Sequence, residues 1–178
     1  IPQIGSADFD TKGFLSFIGN GGKAIVLEQN SLNKFGIDLS LAPKASTMTF
    51  PLNKRHPVLK EINPDDLKFW RGDNYVTNYE IVRPFFGGAR AITVSGGNLG
   101  IEHCAILEQP YGKGNILFIQ ALVGEKFNSE PAARRIFQNS LSYMAGRKVK
   151  EISTLVLADN SNFIQTLNQI GLKQKLID

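Results

Sequence analysis

The apolar and polar positions follow their clearest pattern between residues 111 and 146. Residues 115–123 are apolar almost without interruption, which is typical of a strand covered on both faces of a sheet. Two glycines just before this run predict a turn. The polar residues and proline at positions 128–131 then predict the start of a helix, whose apolar stripe continues to a stop at Gly146.

Other apolar runs predict strands at residues 24–28, 101–109 and 152–157. The run at 101–109 and the one after Gly114 are separated by a short turn, so together they predict a β-hairpin. Residues 9–18 combine capping residues with apolar positions at helical spacing and predict a helix. Residues 29–78 show no sustained pattern and predict mainly connections, and residues 79–82 and 89–94 follow as isolated short apolar pieces.

Composition limits the class of protein. The chain has 178 residues, of which 42% are hydrophobic, and this predicts one domain with a sizeable core. The net charge of +4 is spread along the sequence, and its dense basic runs, residues 54–56 and 147–150, favour a solvated surface over a nucleic-acid interface. A single cysteine excludes an internal disulfide and a thiolate zinc site.

The ends of the chain predict a fragment of a longer protein. It begins at Ile1 rather than at methionine, and it has neither a signal segment nor an apolar run near the ~20 residues that a membrane helix needs. We therefore expect no membrane span.

One glycine pattern is similar to a nucleotide-binding motif. Gly19, Gly21 and Ala24 match the spacing of a dinucleotide fingerprint, but that motif follows a strand and opens a helix. Here the glycines close a predicted helix and open a strand, which favours a helix C-cap. We expect no cofactor.

Three segments carry a resemblance to a known family: residues 56–73, residues 107–114 and the helix at residues 130–144. Together they resemble the class I glutamine amidotransferase-like domain found in large bacterial glycoside hydrolases similar to glycoside hydrolase family 2, and more distantly the β-galactosidase trimerisation domain. The resemblance implies a flavodoxin-like α/β fold, a three-layer sandwich with a mostly parallel sheet and a β-hairpin. It also implies an accessory module beside a catalytic barrel, in a periplasmic or extracellular protein.

This resemblance gives an expected domain organisation. Residues 1–150 form the amidotransferase-like α/β domain. Residues 151–178 carry the pattern of one further strand and helix, which either packs on that domain or begins a following repeat.

Catalytic amidotransferases of this superfamily place a cysteine on a strained turn between strand and helix. Cys104 instead lies within a predicted strand and lacks flanking glycines, and no G-x-S-x-G motif occurs in the sequence. His103 is its neighbour, but adjacent strand residues point to opposite faces, so the two cannot readily share a proton. We expect a buried structural thiol and no catalytic residue.

The remaining chemistry-bearing residues leave alternatives open. His56 and His103 are the only histidines, too few for a metal site at helical or short-loop spacing. Carboxylates are more plentiful, and a pair acting as in a glycosidase remains an alternative to surface carboxylates. The pairs are Asp65 with Asp66, Asp73 with Glu80, and Glu102 with Glu108.

A sugar-binding platform is a further alternative. Trp70, Tyr75 and Tyr79 offer aromatic faces to a sugar ring, and Asp73 offers a partner for hydroxyls. We favour Trp70 as a core or domain-interface residue. The leading hypothesis is a non-catalytic accessory domain of a glycoside hydrolase, with other domains of the same polypeptide as partners. The alternatives are a carbohydrate-binding module and an active hydrolase. The oligomeric state does not follow from the sequence.

Overall fold

The computed structural model describes residues 9–85, 87–98 and 100–146. Three single-turn 3₁₀ segments, at Asn33–Phe35, Pro57–Leu59 and Pro64–Leu67, lie among the regular elements. In chain order, the helices and strands are α1 (Thr11–Gly19), β1 (Lys23–Val26), β2 (Leu41–Ala42), β3 (Phe50–Pro51), β4 (Glu80–Val82), β5 (Arg90–Gly97), β6 (Gly100–Tyr111), β7 (Gly114–Ile119) and α2 (Pro131–Gly146).

The seven strands form one mixed sheet around β6. β5 pairs antiparallel with β6 along one side, while β7 and β4 pair with different halves of its other side. β1 extends the sheet beyond β7, β2 beyond β4, and β3 beyond β5. Among the described strands only β1 and β7 run parallel. The predicted hairpin of β6 and β7 is confirmed by the register from Ile106–Ile119 to Tyr111–Gly114.

The expected fold class is wrong. The sheet is mostly antiparallel and the described chain has two α-helices, so it is not a flavodoxin-like three-layer sandwich with a mostly parallel sheet. The prediction failed partly because β2, β3 and β4 are only two or three residues long. They lie where the sequence predicted connections or isolated apolar pieces. Their backbone groups pair antiparallel with longer strands, and such pairing leaves no periodic signal in so few residues.

Two apolar clusters cover the two faces of the sheet. Successive residues of β7 alternate between them: Ile116 and Phe118 face one cluster, and Leu117 and Ile119 face the other. Ile18 of α1 belongs to the first cluster and Ile136 of α2 to the second. The continuous apolar run of β7 is therefore explained by cover on both sides.

Backbone atoms approach closely where α1 ends beside the β6–β7 turn. Lys113 N donates to Gly19 O over 3.1 Å, and Asn115 N donates to Gly22 O over 3.2 Å. A Cβ atom at Gly114 would collide with the carbonyl oxygens of Ile18 and Gly22. The glycine predicted to make a turn is therefore also required for the contact between α1 and the hairpin.

The helix predicted after residue 130 is present as α2. Glu130 lies just before it, and its carboxylate accepts hydrogen bonds from Ala132 N at 3.2 Å and Arg71 N at 3.1 Å. Ile136 is fully buried, whereas Phe137 is only half-buried at the edge of the same cluster. The predicted strand at residues 152–157 and the unit at 151–178 lie outside the described residues, so the domain organisation stays a prediction.

Candidate functional site

The parallel strands β1 and β7 end side by side, and polar residues follow both ends. Ligand sites in α/β sheets commonly lie outside the carboxyl ends of parallel strands. Glu28 follows β1, and its Oε1 accepts hydrogen bonds from Gly124 N at 2.6 Å and Glu125 N at 3.3 Å. Burial raises the pKa of the Glu28 carboxyl, and these backbone hydrogen bonds oppose the increase. Glu28 therefore holds the loop after β7 in place.

Lys126, in the same loop, brings two of the sequence-predicted residues together. It is 5% exposed, its ammonium donates to the carboxylate of Asp73, and it also donates to Tyr75 O over 2.8 Å. The hydrogen bond from Lys126 lowers the pKa of Asp73, with further contributions from Tyr75 N and the lysine charge. The segment around Asp73 is thus fastened to the end of β7.

The predicted aromatic platform does not form as a unit. Trp70 is 1% exposed, and its indole nitrogen donates to Asp66 O over 2.8 Å. Its ring lies in the core, the alternative that the sequence favoured, and so it offers no face to a sugar. Tyr75 and Tyr79 are 38% and 36% exposed. Sugar binding by Asp73, Tyr75 and Tyr79 stays a prediction.

Cys104 lies inside β6 and is fully buried. Its thiol donates to Ile81 O over 3.6 Å. Burial raises the pKa of Cys104 to about 12, and the carboxylate of Glu80 adds to the increase. His103, next in the strand, lies opposite Ser95 and Val82 in the register. The thiol therefore has the high pKa and the closed surroundings of an inert structural cysteine.

An ion pair between a buried carboxylate and a partly exposed lysine lies near Cys104. Glu80 in β4 is fully buried, and its Oε2 lies 3.0 Å from Lys44 Nζ. Lys44 also donates to Gly96 O. This lysine lines an open pocket of about 310 Å³, which we call the Lys44 pocket; residues 44–48, Phe50, Ser95 and Gly96 form its wall.

The predicted carboxylate pairs are held apart. Glu102 and Glu108 are six residues apart on β6, or about 20 Å at the rise of a strand. Glycosidase pairs are separated by about 5 to 10 Å. Asp73 and Glu80 bind different lysines, Lys126 and Lys44.

The other carboxylates make structural contacts. Asp65 pairs with Lys68, which lowers its pKa through a side-chain hydrogen bond. Asp66 accepts from Asn63 N over 2.8 Å at the start of a 3₁₀ turn. Glu108 is buried and accepts from Asn115 Nδ2 at 2.7 Å and Tyr143 Oη at 2.6 Å.

Sequence reasoning missed Glu28, Lys44 and Lys126. Each has a partner that is distant in the sequence, as with Lys44 and Glu80, so no local pattern indicates the contact. The one available signal is Glu80, a charge inside the short apolar run at residues 79–82.

Within residues 9–85, 87–98 and 100–146, no group of three or more His, Cys, Asp or Glu side chains is arranged to hold a metal ion. Neither of the described α-helices has the length and apolar character needed to cross a bilayer.

The chain matches no family model and no curated protein. Among solved structures it is similar to a β-galactosidase from Rahnella sp. R3, with 12% sequence identity and a TM-score of 0.48 over 79% of this chain and 21% of that one. It is also similar to a cytoplasmic protein from Salmonella typhimurium, with 12% identity and a TM-score of 0.48 over 75% of this chain and 59% of the other. The chain thus spans only part of either neighbour, and the similarity is a distant resemblance of fold.

Proposed function

We propose that the chain is a non-catalytic accessory domain of a multidomain bacterial glycoside hydrolase that acts on polysaccharides or oligosaccharides. Its partners are other domains of the same polypeptide, and the parent protein is periplasmic or extracellular. The resemblance of residues 56–73, 107–114 and 130–144 to such domains supports this role.

The state of Cys104 is the observation that carries the proposal. The catalytic members of the superfamily that the chain resembles use a cysteine on a strained turn. Here the thiol is buried in β6 and donates a hydrogen bond to Ile81 O, and burial raises its pKa to about 12. A nucleophilic thiol needs a lowered pKa and an open approach. The one cysteine of the chain therefore lacks the properties of such a nucleophile.

An exposed apolar patch supports docking to a neighbouring domain. The β4–β6 patch consists of Val82 and Ile101, which are 40% and 55% exposed, together with Phe85, which follows Val82 by three residues in the chain and is 77% exposed. Val82 lies opposite His103, so Ile101, two residues from His103, is its diagonal neighbour on the same face. Apolar side chains grouped in this way are typical of interfaces between domains.

The first test is the complete gene. The proposal predicts that the reading frame continues beyond this chain into a glycoside hydrolase domain, and a frame that encodes no such domain would contradict it. The isolated chain should release no product above buffer from chromogenic galactosides and glucosides or from glutamine. Turnover that survives repurification would support the rival, an active hydrolase.

The second test uses the complete polypeptide. Phe85→Asp and Ile101→Asp should each lower its unfolding temperature or uncouple the unfolding of the two domains in calorimetry, because a charge disrupts an apolar interface. Leu141→Asp is the matched control, since Leu141 is 49% exposed on α2 and outside the patch. Equal behaviour of all three variants would show that the patch docks nothing.

A further inference from the structure

The Lys44 pocket is lined by both polar and apolar residues. Its volume of about 310 Å³ is at the small end of the range for ligand sites in proteins. Ser46, Thr47 and Ser95 are the lining residues that carry hydroxyls, and Met48 and Phe50 are the large apolar ones. We propose that this pocket binds a neutral carbohydrate ring.

The charges around the pocket favour an uncharged ligand. The ammonium of Lys44 is balanced by Glu80 at 3.0 Å, so the pair presents no net charge to an anion. An ammonium has three N–H groups, and Lys44 donates one of them to Gly96 O, while Glu80 Oε2 lies 3.0 Å from the ammonium without accepting a hydrogen bond. The side chain is 33% exposed, so an N–H group remains for a ligand hydroxyl.

Phe50 supplies the apolar side of the site. It lies on β3, the strand at one edge of the sheet, and its side chain is 42% exposed. An aromatic face covers the C–H surface of a pyranose ring while neighbouring polar groups bind the ring's hydroxyls. The pocket combines both requirements, whereas Trp70 in the sequence-predicted platform is buried.

Ser95 gives a second reason to expect a polar ligand. It lines the pocket and is 3% exposed, and its hydroxyl has no hydrogen-bond partner among the described residues. A buried hydroxyl without a partner is unfavourable. A ligand hydroxyl that reaches Ser95 after a small movement of the wall would satisfy it.

A hydrogen bond holds part of the pocket wall. Phe69 N donates to Thr47 O over 2.7 Å. Phe69 itself lies outside the lining residues and has a φ of 50°, in the left-handed region that bulky residues avoid. The backbone of Thr47 is therefore fixed by a neighbouring loop.

This inference goes beyond the accessory role and stands on the pocket alone. The test is titration of the ¹⁵N-labelled 178-residue chain with methyl β-D-galactopyranoside and, separately, methyl β-D-glucopyranoside. At least one sugar should give saturable shifts of the amides of residues 44–50, Ser95 and Gly96, with a Kd of about 1–10 mM. Sodium sulfate should give no saturable shift at these amides.

Variants separate the site from non-specific effects. Phe50→Ala should weaken binding about fivefold or more, because it removes the aromatic face. Phe17→Ala is the matched control, since Phe17 is 59% exposed on α1 and does not line the pocket, and it should bind as the unmodified chain does.

Three results would overturn the assignment. They are no saturable shift up to about 50 mM of either sugar, shifts unchanged in Phe50→Ala, and shifts centred on Tyr75 and Tyr79 instead. A negative titration would leave the gene and patch tests of the accessory role untouched, so the two proposals fail separately.

Discussion

Residues 100–146 and residues 29–97 are built in different ways. The first region contains β6, β7 and α2, and every residue of β7 is buried. The second contains the eight-residue strand β5, but its other elements are three strands of two or three residues and three 3₁₀ turns. Three non-glycine residues in the described chain have positive φ angles, and all of them lie in the second region: Glu61, Phe69 and Asn74.

Buried polar groups do not separate the two regions. In residues 100–146, Glu108 is hydrogen-bonded by Asn115 and Tyr143, whereas His103 Nδ1 and Asn115 Oδ1 are buried without a partner among the described residues. In residues 29–97, the hydroxyls of Thr93 and Ser95 are in the same state, and Glu80 is paired with Lys44. Both regions contribute to the two apolar clusters, so the regions differ in the length of their elements and in the Lys44 pocket.

Phe118→Ala should produce the largest loss in this comparison. Phe118 is 1% exposed in β7, and its ring packs edge-on against Phe35 with centroids 5.8 Å apart. Removing it should lower the free energy of unfolding by about 3–5 kcal/mol in urea denaturation, as large-to-small core changes do. Phe17→Ala, on the exposed side of α1, should change it by less than about 0.5 kcal/mol. Similar losses for both variants would contradict the view that the buried strand β7 contributes more to stability than the exposed side of α1.

Gly114→Ala should be the next most damaging change. The added Cβ meets backbone oxygens of Ile18 and Gly22, which cannot rotate away as a side chain can. We expect a loss of about 3 kcal/mol in the same assay. Gly146→Ala is the control, because nothing lies within 4 Å of a Cβ added there. A Gly114→Ala chain as stable as the control would mean that α1 is not tightly held against the hairpin.

These scaffold elements were largely predictable from sequence. The β6–β7 hairpin and α2 are long enough for several sequence signals to indicate the same structure. These signals are the apolar runs, the turn glycines and the helix start at Pro131. Outside the hairpin, strand direction was not predictable, because a short buried strand carries a similar apolar signal in either direction. β2, with two residues, has an edge position that depends on β4 rather than on its own sequence.

Lys44→Met tests the ion pair within residues 29–97. Without Lys44, the carboxylate of Glu80 is buried without a compensating charge, and we expect a loss of about 2 kcal/mol, less than for a fully buried pair because Lys44 is partly exposed. The double variant Lys44→Met/Glu80→Gln should recover most of that loss, since no uncompensated charge remains. Equal losses in the single and double variants would contradict the proposed coupling.

A pair of threonines gives the smallest and most closely matched comparison. Thr49 and Thr93 are both buried, but Thr49 Oγ1 donates to Val94 O over 3.1 Å, whereas Thr93 Oγ1 has no partner among the described residues. Thr49→Val should cost about 1 kcal/mol, and Thr93→Val should cost nothing or stabilise the chain slightly. A larger loss for Thr93→Val would show that its hydroxyl does have a partner.

The candidate sites were harder to predict than the scaffold. Asp73 and Tyr75 were selected as neighbours in sequence, but their contact with Lys126 depends on how the end of β7 meets their loop. Lys44 and Glu80 are 36 residues apart in the printed sequence, and neither signals the other. Cys104 was placed correctly because its strand was evident and strand residues lack the strained turn of a nucleophile. Trp70 was also placed correctly, in the core.

Alkylation of Cys104 is the most direct test of the claim that the chain is non-catalytic. With its pKa raised to about 12, the folded protein holds almost no thiolate at pH 8. Labelling of the native chain by iodoacetamide, followed by mass spectrometry, should therefore be more than about a hundredfold slower than labelling in 6 M guanidinium chloride. Native labelling as fast as in denaturant would show an accessible, activated thiol and contradict the account.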